Sequence, residues 1–220
     1  MSISDHKKKA ALASLRYLED GVETLGVGTG STVNALIPSL VEYRDRFETV
    51  VSSSEATTQL LGKVGIEVTD LNNAGAVDLY IDGADEVTKH LDMIKGGGAA
   101  LTREKIIAGA ARKFVCIADE SKLVGMLGTF PLPIEVVPMA RSFVSRQIIK
   151  MRGQPVWREN VLTDNGNEII DAHNLAIANP KELETRINQI PGVVTVGLFA
   201  HRGADVLILA GKGGVTVMQR

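Results

Sequence analysis

Cysteine is nearly absent: of 220 residues only Cys116 carries a thiol, so no disulfide can form within the chain. It lies in FVCIAD, an apolar run that reads as a buried strand, where a structural thiol is a better reading than a nucleophile. Histidine is almost as scarce. His6, His90, His173 and His201 are scattered without ligand spacing, which argues against a dedicated transition-metal site. Neither sign of charge is in excess, since 24 Lys and Arg against 26 Asp and Glu leave a formal net charge of −2. That balance gives no electrostatic footprint for nucleic acid or for an anionic membrane surface. No apolar run approaches the roughly 18 residues of a membrane span. The opening MSISDHKKKAALASL is basic but has no apolar core or cleavage site, so no signal peptide is expected and the cytoplasm is the expected compartment. A fixed repeat is also missing, which excludes a solenoid.

What the chain does have is glycine. Its 22 glycines gather at GVGTGS (26–31), GAD (83–85), KGGG (95–98) and GKGG (211–214). The first half alternates strand-like and helix-like stretches. A helix is expected from Ser4 to about Leu18, then a buried strand VETLGVG (22–28) and a helix TVNALIPSLVEY, interrupted or kinked at Pro38. Strand ETVVSS (48–53), helix SEATTQLLGKVG ending at Gly65, and strands IEVTDL (66–71) and VDLYID (77–82) follow. Helix ALTREKIIAGAARK and strand KFVCIAD (113–119) close this half. Strands alternating with helices point to a parallel sheet covered by helices.

The proline-dense GTFPLPIEVVP (128–138) marks a break. Beyond it come strand IEVV (134–137), helix MARSFVSRQIIKM, strand PVWRE, turn TDNGN, strand EIIDAH, helix PKELETRINQI and strand VVTVGLFA. This β-α-β-β-α-β order is the split βαβ pattern of a small ferredoxin-like unit, with Asn165 and Gly166 as hairpin turn. The apolar GADVLILAGKGG reads as a strand returning to the first sheet. The expected fold is α/β, a mostly parallel sheet with helices on both faces over residues 1–130 and 202–220. A small α+β domain at 131–201 is inserted near the C-terminus.

In such sheets ligands bind beyond the carboxyl ends of the strands. GVGTGST follows the first strand. Its glycines let the backbone approach closely, and Ser31, Thr32 and the helix N-terminus offer donors to an anion. Ser31 breaks the dinucleotide fingerprint, which needs glycine there, and the lysine of the nucleoside-triphosphate loop is missing. The stretch is a phosphate cradle or a plain strand–turn–helix. IDGADEV (81–87) puts Asp82 and Asp85 at a strand end, as an ordinary Asp-Gly turn or as functional carboxylates. In KGGGAALTREK (95–105), Glu104 is the only charged residue on the helix face formed by positions 100, 104, 107, 108 and 111. A surface glutamate at a helix start is favoured by the macrodipole. Facing the sheet, it is raised in pKa by desolvation while the dipole and Lys95 oppose the rise, which suits a general base. Lys95 and the amides of Gly96–Gly98 could hold a developing oxyanion. Lys122, in ADESK, is a further cation at the same sheet edge or simply a solvated loop lysine. Together these parts fit proton transfer next to a carbonyl on a phosphorylated small molecule.

GVGTGST, SSSEAT, YIDGADEV, MIKGGGAALTREKI, FVCIADESK, FPLPIEVVPMAR and TDNGN, in this order over nearly the whole chain, together resemble ribose-5-phosphate isomerase of the A type. The resemblance implies interconversion of D-ribose 5-phosphate and D-ribulose 5-phosphate in the pentose phosphate pathway, without metal or cofactor. It implies a Rossmann-like domain with a small α+β domain, and usually a homodimer or larger. It places the family's base on Glu104 and its sugar contacts on Thr29, Gly30, Ser31 and Thr32, on Asp82, Gly83, Ala84 and Asp85, and on Lys95, Gly96, Gly97 and Gly98. Its loop lysine falls on Lys122, and an N-terminal lysine near Lys8 reaches the phosphate. Asp82 or Asp85 would manage hydroxyl protons and ring opening, the sequence not dividing those roles between them. A sugar-phosphate-sensing module would keep GTGST but need no helix-face glutamate. An acyl-CoA transferase-like enzyme would use a glutamate as nucleophile, and a nicotinamide dehydrogenase is disfavoured by the broken fingerprint.

Overall fold

The computed structural model describes residues 2–19 and 21–220. Along the chain, α1 (Ile3–Ser14) precedes β1 (Thr24–Val27), α2 (Ser31–Leu40), β2 (Thr49–Ser52), α3 (Glu55–Lys63), the single turn α4 (Leu71–Ala74) and β3 (Val77–Asp82). Two short strands, β4 (Glu86–Val87) and β5 (Met93–Ile94), lead to α5 (Leu101–Ala110) and β6 (Ala111–Asp119). The later part runs β7 (Leu132–Val136), α6 (Arg141–Lys150), β8 (Gln154–Leu162), β9 (Glu168–His173), α7 (Pro180–Asn188) and β10 (Val193–Val196). It ends with β11 (Leu198–Phe199), β12 (Val206–Gly211) and β13 (Gly214–Gln219). None of the described helices is long and apolar enough to cross a membrane.

The chain divides into two compact units, one of residues 1–84, 103–122 and 204–220, the other of residues 85–102 and 123–203. The second thus takes Asp85–Thr102, a segment that the sequence reading groups with the first sheet. In the first unit, strands lie in the order β13-β12-β6-β3-β1-β2, all neighbours parallel except the β12–β13 hairpin. Strands buried on both faces read as continuous apolar runs, and β12 (VLILAG) is buried at every position. Leu25, Val27, Ile81, Val115, Ile117 and Ile208 form its core with Ala10 and Ala11 of α1, Leu36 and Leu40 of α2, and Leu61 of α3. The helix α1 starts on a capping box. Ser2 Oγ accepts from Asp5 N at 3.2 Å and Asp5 Oδ2 from Ser2 N at 2.7 Å; the Ser2 N–H, then the Ser2 hydroxyl, hold the Asp5 carboxyl below its ordinary pKa.

Within the first unit's sheet the strands differ from the sequence reading at two places. IEVTDL is not a strand: Asp70 Oδ1 accepts from Asn72 N at 2.7 Å and starts α4, and the backbone bond Thr69 N to Val50 O ties the segment to β2. The Asp-Leu-Asn-Asn run prefers this local turn to a ladder. Beyond the strand expected at GADVLILAGKGG, the chain folds back at GKGG into β13, which the sequence reading does not include, with Gly214 at φ +108.

The second unit contains the expected β-α-β-β-α-β succession, as an antiparallel sheet in the order β10-β7-β9-β8 with α6 and α7. Ile134, Val136, Val144, Ile148, Ile170, Ile187 and Val196 make its core. VVTVGLFA, expected as one strand, is two. Gly197 donates to Pro133 O at 2.7 Å and accepts from Lys95 N at 2.9 Å, so the chain leaves β10 and enters a second sheet, β11-β5-β4. A Cβ at 197 would stand 2.2 Å from Lys95 O, which restricts the position to glycine.

Candidate active site

Because β2, β1, β3, β6 and β12 run parallel, their carboxyl ends share one edge of the first unit's sheet. The chain goes from β1 to β2 on one side and reaches β3 on the other, so the loop after β1 stands at the switch point where open sheets bind ligands. That loop carries Thr29, Gly30, Ser31 and Thr32. Gly30 caps α2 at φ +104, a conformation that favours glycine. Gly28 answers to Asp82: a Cβ there would fall 2.0 Å from the Asp82 carboxyl. Thr29 is held from the end of β2, since Ser54 Oγ donates to Thr29 Oγ1 at 3.0 Å and Thr57 Oγ1 to Gly28 O at 2.9 Å. Ser31 is exposed, and its Oγ accepts from Lys7 Nζ at 2.8 Å. The N-terminal lysine at this loop is therefore Lys7, and Lys8 is exposed.

Asp82 ends β3 with no exposed surface. Its Oδ1 accepts from Thr29 N at 3.0 Å and Gly83 N at 2.7 Å, and its Oδ2 takes a short hydrogen bond from Tyr80 Oη. Ala84 follows, half-buried, as the last residue of this unit's segment. Tyr80 is fully buried and stacked on Phe114, ring centroids 4.9 Å apart. Burial first, then the negative charges of Asp82 and Glu104, push its hydroxyl pKa well above the ordinary tyrosine value. Both carboxylates thus bear on one phenol. Glu104 is 3% exposed, one turn before Ile107 on α5. Gly26 lets that helix lie close, for a Cβ on it would stand 2.9 Å from both Ile107 Cγ2 and Tyr80 Cδ2. Arg103 turns outward to Glu55 at 2.7 Å, leaving Glu104 the inward position. Lys122 is half-buried at the end of the 3₁₀ turn Glu120–Lys122, after β6, the neighbour of β3. Asp119 shapes that turn by accepting from Ser121 N at 3.1 Å and Ser121 Oγ at 2.5 Å.

The second unit holds the remaining expected residues. Lys95 is 2% exposed, with Nζ 5.6 Å from the centroid of the Phe199 ring. Gly96 is buried at φ +105, where a Cβ would crowd Leu101 and Pro133 at 3.0 and 3.1 Å. Gly97 and Gly98 are exposed. Asp85 Oδ2 accepts from Gly97 N at 2.8 Å, so this amide, expected at an oxyanion, holds a carboxylate. Glu135 has no exposed surface and gathers the TDNGN turn, accepting from Thr163 Oγ1, Asn165 Nδ2 and Asn167 Nδ2 at 2.9, 3.2 and 2.8 Å, and from Thr102 Oγ1.

The first unit thus brings the Thr29–Thr32 loop, Asp82, Gly83 and Glu104 to one sheet edge, while Asp85, Lys95 and Gly96–Gly98 cluster within the second. Sequence reasoning missed Tyr80, Ser54, Thr57 and Lys7. SSSEAT, an N-cap pattern directly after a strand, was the available signal for Ser54 and Thr57. A tyrosine inside VDLYID carries no such mark. No group of three or more His, Cys, Asp or Glu among the described residues could hold a metal ion.

The family model for Ribose 5-phosphate isomerase A (phosphoriboisomerase A) matches residues 49–214. The ribose-5-phosphate isomerase A of Francisella tularensis subsp. novicida (strain U112) is 61% identical over 206 residues, 94% of this chain and 92% of that protein. The crystal structure of ribose 5-phosphate isomerase A from Neisseria gonorrhoeae superimposes with a TM-score of 0.96 at 45% identity, covering 99% of this chain and 97% of that one. A D-ribose-5-phosphate isomerase in complex with phospho-erythronic acid gives 0.95 at 38% identity, covering both chains fully. A match of this extent, in sequence and in fold alike, means that the chain belongs to the ribose 5-phosphate isomerase A family.

Proposed function

We propose that the chain interconverts D-ribose 5-phosphate and D-ribulose 5-phosphate by moving one proton between C2 and C1 of the open-chain sugar. The observation that carries this reading is Glu104, a carboxylate 3% exposed on the inward face of α5, bearing with Asp82 on Tyr80 at the sheet edge of the Thr29–Thr32 loop. Ser31, Thr32, Lys7 and Lys122 hold the phosphate, so binding energy far from the reacting carbons positions the sugar. Glu104 removes the C2 proton and returns it to C1 through a cis-enediolate. Lys95 and the Gly98 N–H stabilise the negative charge on oxygen, the Gly97 N–H being given to Asp85. The aspartates divide their work. Asp82, accepting from Thr29 N, Gly83 N and Tyr80 Oη, anchors the phosphate loop, whereas Asp85 on Gly97 N manages hydroxyl protons.

The family resemblance extends the reading to a homodimer in the cytoplasm, each copy with a Rossmann-like catalytic domain and a small α+β domain. A sugar-phosphate-sensing module would have no use for a buried Glu104, and no observation favours it. Glu104→Gln keeps the shape and removes the base. Its turnover is expected to fall by about 10²- to 10⁴-fold while inhibition by inorganic phosphate stays within about twofold. Retained turnover would overturn the assignment.

A further inference from the structure

Arg158 stands on β8, in the unremarked run PVWRE. The register pairs Val156 with Asp171 of β9, which puts Arg158 a diagonal step from Asp171 on the same face. Its side chain is only 19% exposed, and its donors are used within the second unit. Nε and Nη2 donate to Asp171 Oδ2 and Oδ1 at 2.8 and 2.5 Å. Nη1 donates to the carbonyl oxygens of both Gly96 and Gly97, each at 3.1 Å. An ordinary ion pair between strands needs no such third edge. Two consecutive carbonyls turned toward one nitrogen are a constraint on the loop.

In a trans peptide the carbonyl and the next N–H point in opposite directions. Holding the Gly96 and Gly97 carbonyls therefore sends the N–H groups of Gly97 and Gly98 to the side away from Arg158. On that side Gly97 N–H meets Asp85 Oδ2 at 2.8 Å. A three-glycine run has little torsional preference of its own, so these peptide planes need an outside hold. The arginine supplies it, Asp171 fixes the arginine, and a planar fork does this where a flexible ammonium does not.

We infer that Arg158, braced by Asp171, is a positioning residue of the isomerase: it sets the peptide planes of Gly96–Gly98 so that one N–H holds Asp85 and the next faces the reacting sugar oxygens. This rests on the function proposed above, and the test separates the two. For Arg158→Met, which keeps most of the apolar stem, kcat for ribose 5-phosphate is expected to fall about 10- to 100-fold. Phospho-erythronic acid carries a carboxylate where the enediolate carries its oxygens, and its inhibition should weaken by a similar factor. Inhibition by inorganic phosphate, which reports the other end of the sugar, should change by less than about twofold. Arg158→Lys should recover little of the loss. If Arg158→Met does not fold, Asp171→Asn reads the same split with a smaller drop in kcat, about three- to tenfold. Wild-type kcat in these variants would overturn the inference, as would equal weakening of phosphate and phospho-erythronic acid. A wild-type chain without isomerase activity would overturn the proposed function and this inference with it.

Discussion

Tyr80 shows how much of a site can rest on a residue that meets no ligand. Its buried hydroxyl is given to Asp82, and Asp82 in turn takes the amides of Thr29 and Gly83. Below about pH 10 the phenol is protonated in the folded and the unfolded chain alike; above it, only the folded chain keeps the proton. Stability should therefore decline as pH climbs from about 10 toward the raised folded value, by at most about 1.4 kcal/mol per pH unit for this group. Tyr80→Phe should remove that part of the slope and cost about 1–3 kcal/mol at neutral pH, because one donor to buried Asp82 is lost. Urea titrations of both chains at pH 9 and pH 11 would show it; identical slopes would contradict it. Gly28→Ala tests the same carboxylate from the other side. With a Cβ only 2.0 Å from the Asp82 carboxyl, we expect a loss of about 3 kcal/mol or more in denaturant unfolding, since no far end of a flexible chain can move aside. The glycines of GVGTGST looked in sequence like room for a ligand. Gly28 is room for Asp82 and Gly26 is room for α5, distinctions that no spacing rule could draw. The lysine run was equally opaque: three neighbours on a helix point about 100° apart, and only the placement of α1 decides that Lys7 meets Ser31.

At the level of elements, what the sequence reading recovered is what has a period or an apolar run long enough to show one. β3, β9 and β12 follow from VDLYID, EIIDAH and VLILAG, and the helix carrying Glu104 from one apolar stripe. The two-residue strands β4, β5 and β11 have no period to detect, and β13 follows the double glycine that closes the expected strand GADVLILAGKGG. IEVTDL failed for the opposite reason, as a good strand pattern overruled by the Asx turn at Asp70. The split of VVTVGLFA depends on Gly197, wedged between Pro133 O and Lys95 O. Gly197→Ala must push a Cβ against the Lys95 carbonyl. A loss of about 2–4 kcal/mol is expected in urea unfolding, with weaker pairing of β11 and β5 seen as faster amide exchange at Lys95. Wild-type stability in this variant would show that the second sheet tolerates a side chain there.

For the whole molecule, the α/β class was legible from alternation alone, but the assignment of Asp85–Thr102 to the second unit was not. That segment carries short strands and glycines whose partners lie far onward, Arg158 by 62 residues from Gly96 and Gly197 by about a hundred from Lys95. Half of the chemistry expected from one linear motif, KGGGAALTREK, is thus held by residues of the later half. The scattering of histidines and the absence of acidic or thiol clusters among the described residues lead to a further expectation. Isomerisation should proceed at the same rate after exhaustive treatment with EDTA, and a rate restored only by added divalent cation would contradict the metal-free mechanism. The most direct measurement of the central claim follows ribose 5-phosphate by proton NMR in D₂O with the wild-type chain and with Glu104→Gln. Ribulose 5-phosphate should form with the wild type, its C1 carrying deuterium in those turnovers in which the proton held on Glu104 exchanges with solvent before it is returned, and conversion should be lost with the variant. Failure of the wild type to form the ketose, or its formation without Glu104, would contradict the assignment.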